Sequence, residues 1–236
     1  MKTLIFIFAF SLIAFSSHSQ IKLPKLLSKN ASGITEDEAG LGIKEALSQG
    51  VTNAVLNLNK TDGFFGSEIY KMLLPEDALK VEKTLRNLGM GAQVDKAILA
   101  INRGAEDAVA YAKPVFVDAI KQMTLQDALN IVKGPNNAAT NYFKDKTKQK
   151  LQETFLPTVK TSLDKADATK YYADIVNTYN KLPTTFNKVN PDLPSYVVGK
   201  AVDALFDQVA KEEANIRANP LARTSDILKK VFSGNK

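Results

Sequence analysis

Arginine is scarce in this chain, so its positions are where chemistry is sought first. Only Arg86, Arg103, Arg217 and Arg223 carry guanidinium groups, against 27 lysines. Three of the four sit in polar clusters: Asn102-Arg-Gly-Ala-Glu106, Lys211-Glu-Glu-Ala-Asn-Ile-Arg217 and Pro220-Leu-Ala-Arg-Thr224. In the first cluster Leu99, Asn102, Glu106 and Val109 step by three, four and three. On a helix this places Asn102 and Glu106 on one line bracketed by apolar side chains. Arg103 lies three residues before Glu106 and four before Asp107, close enough to pair with either. In the second cluster Glu212 and Glu213 fall between Val209 and Ile216 on the side expected to be buried, and Arg217 follows Glu213 by four.

A carboxylate taken out of water must be paired or protonated. The pattern therefore predicts that Glu106, Glu212 or Glu213, Arg103, Arg217 and Arg223 meet in a partly buried ionic network. Two chemistries suit it. One is a structural clasp that fixes helix register. The other is a pocket in which Asn102 and the arginines hold an anionic ligand, or in which the carboxylates do acid–base work. The loop carrying Phe64 and Phe65 has a similar double reading, as a plug in the core or as a mobile aromatic lid or membrane-touching tip.

The missing residues close off other chemistries. The chain has no Cys, no Trp and a single His, His18, which lies in a segment expected to be removed. Without imidazole or thiol, Cys-His and Ser-His-Asp sites are excluded, as are zinc, copper and haem sites. No metal site is expected and no cofactor: Gly89-Met-Gly91 lacks the third glycine and the preceding strand of a phosphate-binding loop. The formal charge of +6 is built almost wholly from lysine, which argues against a nucleic-acid partner. The densest run, Lys144, Lys146, Lys148 and Lys150, alternates on a helix and so does not form one stripe; it reads as a solvated face, with an anionic surface partner as the alternative.

Residues 1–19 read as a secretory signal, with Lys2 as the basic head, an apolar run from Leu4 to Phe15, and small residues at Ser17 and Ser19. The run falls short of the roughly 20 residues that span a bilayer. Cleavage near Ser19 is expected to give a periplasmic or secreted protein with no transmembrane segment, made of a basic tether over 20–27 and one domain over 28–236.

That domain reads as all-α. Thr35 to Glu38 forms a capping box, and Leu41, Leu47, Val51, Ala54, Val55 and Leu58 recur at helical spacing, predicting a first helix to about Asn59. A second helix opens at Pro75 and ends at Gly89. A third, carrying Val94, Ala97, Ile98, Ile101, Ala105, Ala108 and Ala112, is rich in small residues that allow close packing. It continues past Pro114, which should kink it. Thr124 to Asp127 opens another helix that stops at Gly134-Pro135. The next is capped by Asn136 and ends before Pro157; another ends at Pro183. A long helix closes at Asn219-Pro220, and a tail helix begins near Ser225. No segment alternates with period two. The expectation is a single-domain multi-helix bundle with a kinked central helix.

The same clusters carry a resemblance. Gly40-Leu-Gly-Ile-Lys-Glu-Ala-Leu47, Asp62-Gly-Phe64, Leu74-Pro75, Asn102-Arg-Gly-Ala-Glu106, Met123-Thr-Leu-Gln-Asp-Ala128, Gly134 with Ala138-Ala-Thr-Asn-Tyr-Phe143, and Glu212-Glu213 through Ile216-Arg217 to Asn219-Pro220 and Val231-Phe232 together make the chain similar to the exported bacterial Domain of Unknown Function 4197 family. Gly104 stands where the family's usual residue is alanine. The resemblance implies an all-helical exported protein and supplies no activity. The functional expectation is a ligand- or partner-binding module, for a small anionic ligand or a protein. The alternatives are a carboxylate-dependent enzyme acting on an anionic substrate and a scaffold with no pocket.

Overall fold

Apolar residues at a 3.6-residue period make a chain that can bury them only as packed helices. The computed structural model describes residues 36–219 apart from 88, 182 and 184–187, and among these eight α-helices follow one another without a strand. They are α1 (Glu36–Asn59), α2 (Leu79–Asn87), α3 (Gly91–Val109), α4 (Ala112–Gln122), α5 (Leu125–Lys133), α6 (Ala138–Lys165), α7 (Ala168–Asn180) and α8 (Leu193–Ala218). A 3-10 turn, Glu76–Ala78, leads into α2, with Pro75 just before it. The secretory signal, the basic tether, Thr35, Arg223 and the tail helix lie outside the described residues.

Helix α3 packs most heavily on α6, and α6 in turn on α8, with α1 against α8. Val94, Ile98, Ile101, Ala105 and Ala108 of α3 are buried against this centre. Its small side chains allow a close approach: a Cβ on Gly104 would lie 3.1 Å from Cβ of Ser162 on α6. The expected kink is present, a 36° bend at residues 110–111 between α3 and α4. Pro114 is its physical cause, because the proline has no N–H to donate to the carbonyl four residues back, at Ala110, and its ring crowds that carbonyl. Beyond the bend Phe116 meets Phe143 of α6 edge-on at 5.1 Å and Phe206 of α8 at 6.1 Å, joining three helices through one ring.

Local chemistry starts and stops the helices. Thr124 and Asp127 close a full capping box on α5. Asp192 caps α8 by accepting from the Ser195 N–H at 3.1 Å. Two expectations need correction. Asn136 does not cap α6; the residue before the helix is Asn137, and it makes no side-chain cap. Nor does that helix stop before Pro157, which lies inside it. Leu151, Phe155, Val159 and Leu163 form one buried line across the proline. Burying Val159 and Leu163 gains about 1.5–3 kcal/mol each, enough to offset the roughly 3 kcal/mol that a mid-helix proline costs.

Candidate functional site

The sequence singles out polar residues on apolar stripes, and the structure gives each one a partner. On α3, Asn102 and Glu106 lie one turn apart and face the loop between α1 and α2. Both are buried. Glu106 Oε1 accepts the N–H groups of Phe64 at 3.0 Å and Phe65 at 3.1 Å. Its Oε2 takes Arg103 Nη1 at 2.5 Å, and Arg103 Nη2 reaches Asp62 Oδ1 at 2.8 Å. These two carboxylates, Glu106 first, hold the Arg103 guanidinium above its ordinary pKa. Asn102 accepts the Met72 N–H and donates to the Met72 carbonyl, both at 2.8 Å, as a neighbouring strand would. The far end of the loop is therefore hydrogen-bonded to α3 as well.

Pinned in this way, the loop delivers Phe64 fully into the core, with its ring 6.3 Å from that of Tyr70. Phe65 is half-buried, with Lys71 Nζ 4.4 Å above its ring. Gly63 makes the turn possible. A Cβ there would lie 2.2 Å from the Leu58 carbonyl oxygen, so no side chain can replace its hydrogen without moving backbone.

The second cluster is built on α8. Glu213 is buried and accepts from the N–H groups of Ala139 at 3.1 Å and Thr140 at 2.9 Å, and from the Thr140 hydroxyl at 2.8 Å. These amides belong to the first turn of α6, so a side chain from another helix does the capping that Asn137 does not. Arg217 pairs with Glu213 Oε1 through Nε at 3.0 Å and Nη2 at 2.8 Å, and Nη2 also donates to the Ile131 carbonyl at 2.8 Å, near the C-terminus of α5. The anion thus meets the positive end of α6 and the cation the negative end of α5. Glu212, half-buried beside this pair, accepts from the Asn53 amide at 3.2 Å.

The expected single network is instead two clasps. Among the described residues, Arg103 and Glu106 hold the Phe64–Phe65 loop to α3, and Glu213 and Arg217 hold the α5–α6 junction to α8. Among the described residues no group of three or more carboxylate or imidazole side chains gathers as a metal site, and no helix is long and apolar enough to cross a membrane.

Two features were not anticipated. Tyr70, Asp207 and Lys211 form a surface triad in which the Tyr70 hydroxyl donates to Asp207 at 2.5 Å and Lys211 donates to Tyr70 at 2.6 Å. Burial and then the Asp207 bond push the phenol pKa up, while Lys211 pulls it down. The other feature is a groove of about 650 Å³ between α4 and α6. Tyr111, Val115, Asp118 and Gln122 line one wall; Tyr142, Lys146, Lys150 and Thr154 line the other. The steps of four on α6 were the available signal: within the alternating lysine run, only Lys146 and Lys150 share this face. By contrast, the apolar crevice beside Glu213 and Arg217 measures about 40 Å³, too small for a substrate.

No curated protein and no solved structure matches the chain. A family model does match, over residues 33–233, a span that takes in both clasps and the groove. On that match the chain belongs to the family described as Protein of unknown function (DUF4197).

Proposed function

We propose that the protein is an exported, non-catalytic binding module whose Arg–Glu clusters hold the scaffold together and whose α4–α6 groove receives an anionic ligand. The contrast between committed and available charges carries this reading. Both oxygens of Glu106 and of Glu213 are taken by backbone amides or a guanidinium, which leaves neither carboxylate aimed at a substrate. Lys146 and Lys150, by contrast, stand in the groove with side chains 55% and 68% exposed, and pair only loosely with Asp145 at 3.5 Å and Glu153 at 3.8 Å. A volume of about 650 Å³ falls within the roughly 300–1,000 Å³ typical of ligand sites.

The acid–base alternative finds less support, since a general base needs an oxygen within reach of the proton it removes. The test is native mass spectrometry of protein purified from its own cell, as wild type and as Lys146→Gln/Lys150→Gln. A small-molecule adduct present in the first and lost in the second is the expected outcome. An adduct retained by the double variant, or none in either protein, counts against the groove.

A further inference from the structure

The α4–α6 groove does not end at Tyr111. A second hollow of about 540 Å³ continues along α6, and Tyr111 lines both. This second hollow is edged by Asn59, Asp107, Thr161, Ser162 and Lys165. Tyr111 is 53% exposed, whereas Phe64, Phe116, Phe143 and Phe155 are completely buried. It stands at the 36° bend between α3 and α4, so the bend places an aromatic ring at the junction of the two hollows.

Three demands are written into this track. The tyrosine faces ask for a ligand with a flat apolar side. Lys146 and Lys150, one turn apart, ask for an anion. Asp118 and Asp127 in the groove and Asp107 in the second hollow are acceptors when ionised, and they would repel a ligand that offered only negative charge. They ask for hydroxyl donors. A single small anion meets one of these demands and fills a fraction of the space. A chain of sugar rings bearing carboxylates meets all three: C–H faces for stacking, carboxylates for the lysines and hydroxyls for the aspartates. Its length also suits two hollows joined end to end. We infer that this track binds an acidic oligosaccharide across Tyr111, with Lys146 and Lys150 receiving its carboxylate. The inference rests on the groove being the binding surface, and it adds the ligand class.

The probes are tetragalacturonate as the acidic chain, cellotetraose as the neutral chain and an Ala-Glu-Ala-Glu peptide as an anion without sugar rings, each titrated calorimetrically into the full protein. Tetragalacturonate should bind, more weakly as salt rises. Lys146→Gln/Lys150→Gln should weaken it roughly tenfold and flatten the salt dependence. Tyr111→Ala should weaken the acidic chain by a similar factor. All three side chains are exposed, so an unchanged melting curve separates these losses from misfolding. Equal binding of cellotetraose, tighter binding of the peptide, or no binding of tetragalacturonate overturns the inference. If tetragalacturonate fails while the native adduct is still lost from the lysine double variant, the ligand class is wrong and the groove stands; if both fail, both are wrong.

Discussion

Replacing Glu106 by glutamine changes one atom and removes one charge, which makes it a sharp probe of the loop clasp. The glutamine oxygen can still accept from Phe64 and Phe65, which lie 3.0 and 3.1 Å from Oε1 in the native protein. Those bonds become neutral, and a hydrogen bond to an ionised group is worth about 1.5–3 kcal/mol where a neutral one is worth about 0.5–1.5. The new NH₂ also faces the Arg103 guanidinium, donor against donor. That second loss is discounted, because the Arg103 side chain is 34% exposed and keeps Asp62. Together these terms give a destabilisation of about 2 kcal/mol, or a fall in Tm of roughly 4–8 °C for a chain of this size. Urea unfolding followed by far-ultraviolet circular dichroism measures the first quantity and a thermal scan the second. Amide hydrogen exchange supplies the local check: the Phe64 and Phe65 amides should open roughly thirtyfold more readily, while the core of α6 changes only as far as global stability does. A variant within about 0.5 kcal/mol of wild type, with those two amides protected as before, would refute the idea that Glu106 holds the loop.

Two further outcomes follow from the other clusters. Glu213→Ala leaves Arg217, whose side chain is 15% exposed, without its anion and the first turn of α6 without its cap. A loss of about 3–5 kcal/mol is expected in urea unfolding, and Glu213→Met/Arg217→Met should lose clearly less than the two single changes summed. In the surface triad, the Tyr70 hydroxyl and then Lys211 hold Asp207 below its ordinary carboxylate value, while burial and then Asp207 hold Tyr70 above its own. The advantage of wild type over Tyr70→Phe should therefore be greatest near neutrality. It should fade as pH falls through the carboxylate range, where Asp207 protonates, and again as pH rises through the raised phenol value. Because the triad is largely solvated, the plateau should be at most about 1 kcal/mol. A difference that stays flat across both limits in pH-dependent unfolding contradicts the assignment.

The parts legible in the sequence were those written in local spacing. Periodicity located the helices, and Pro114 located the bend because its clash acts only four residues back. Asn102, Glu106 and Glu213 stood out as polar residues on apolar stripes, and the arginines three or four residues away were their local partners. Their other partners were not legible, because the amides of Phe64, Phe65, Met72, Ala139 and Thr140 are main chain and leave no side-chain signature. The expectation of one network failed for the same reason: each carboxylate found enough donors nearby and had no need of the other's arginine. Pro157 misled because a propensity rule was weighed without the buried line that continues beyond it. The groove needs two helices at once, and no single stretch of residues describes it.

The capping of α6 by Glu213 has a consequence for the order in which the molecule can be completed. The first turn of a helix that starts at residue 138 is finished by a side chain 75 positions further along, and the end of α5 by Arg217 after that. A ribosome therefore releases α5 and α6 long before the group that joins them exists. Helix α8 acts as a late lock, and until it arrives the two earlier segments lack the side chains that fasten them to each other.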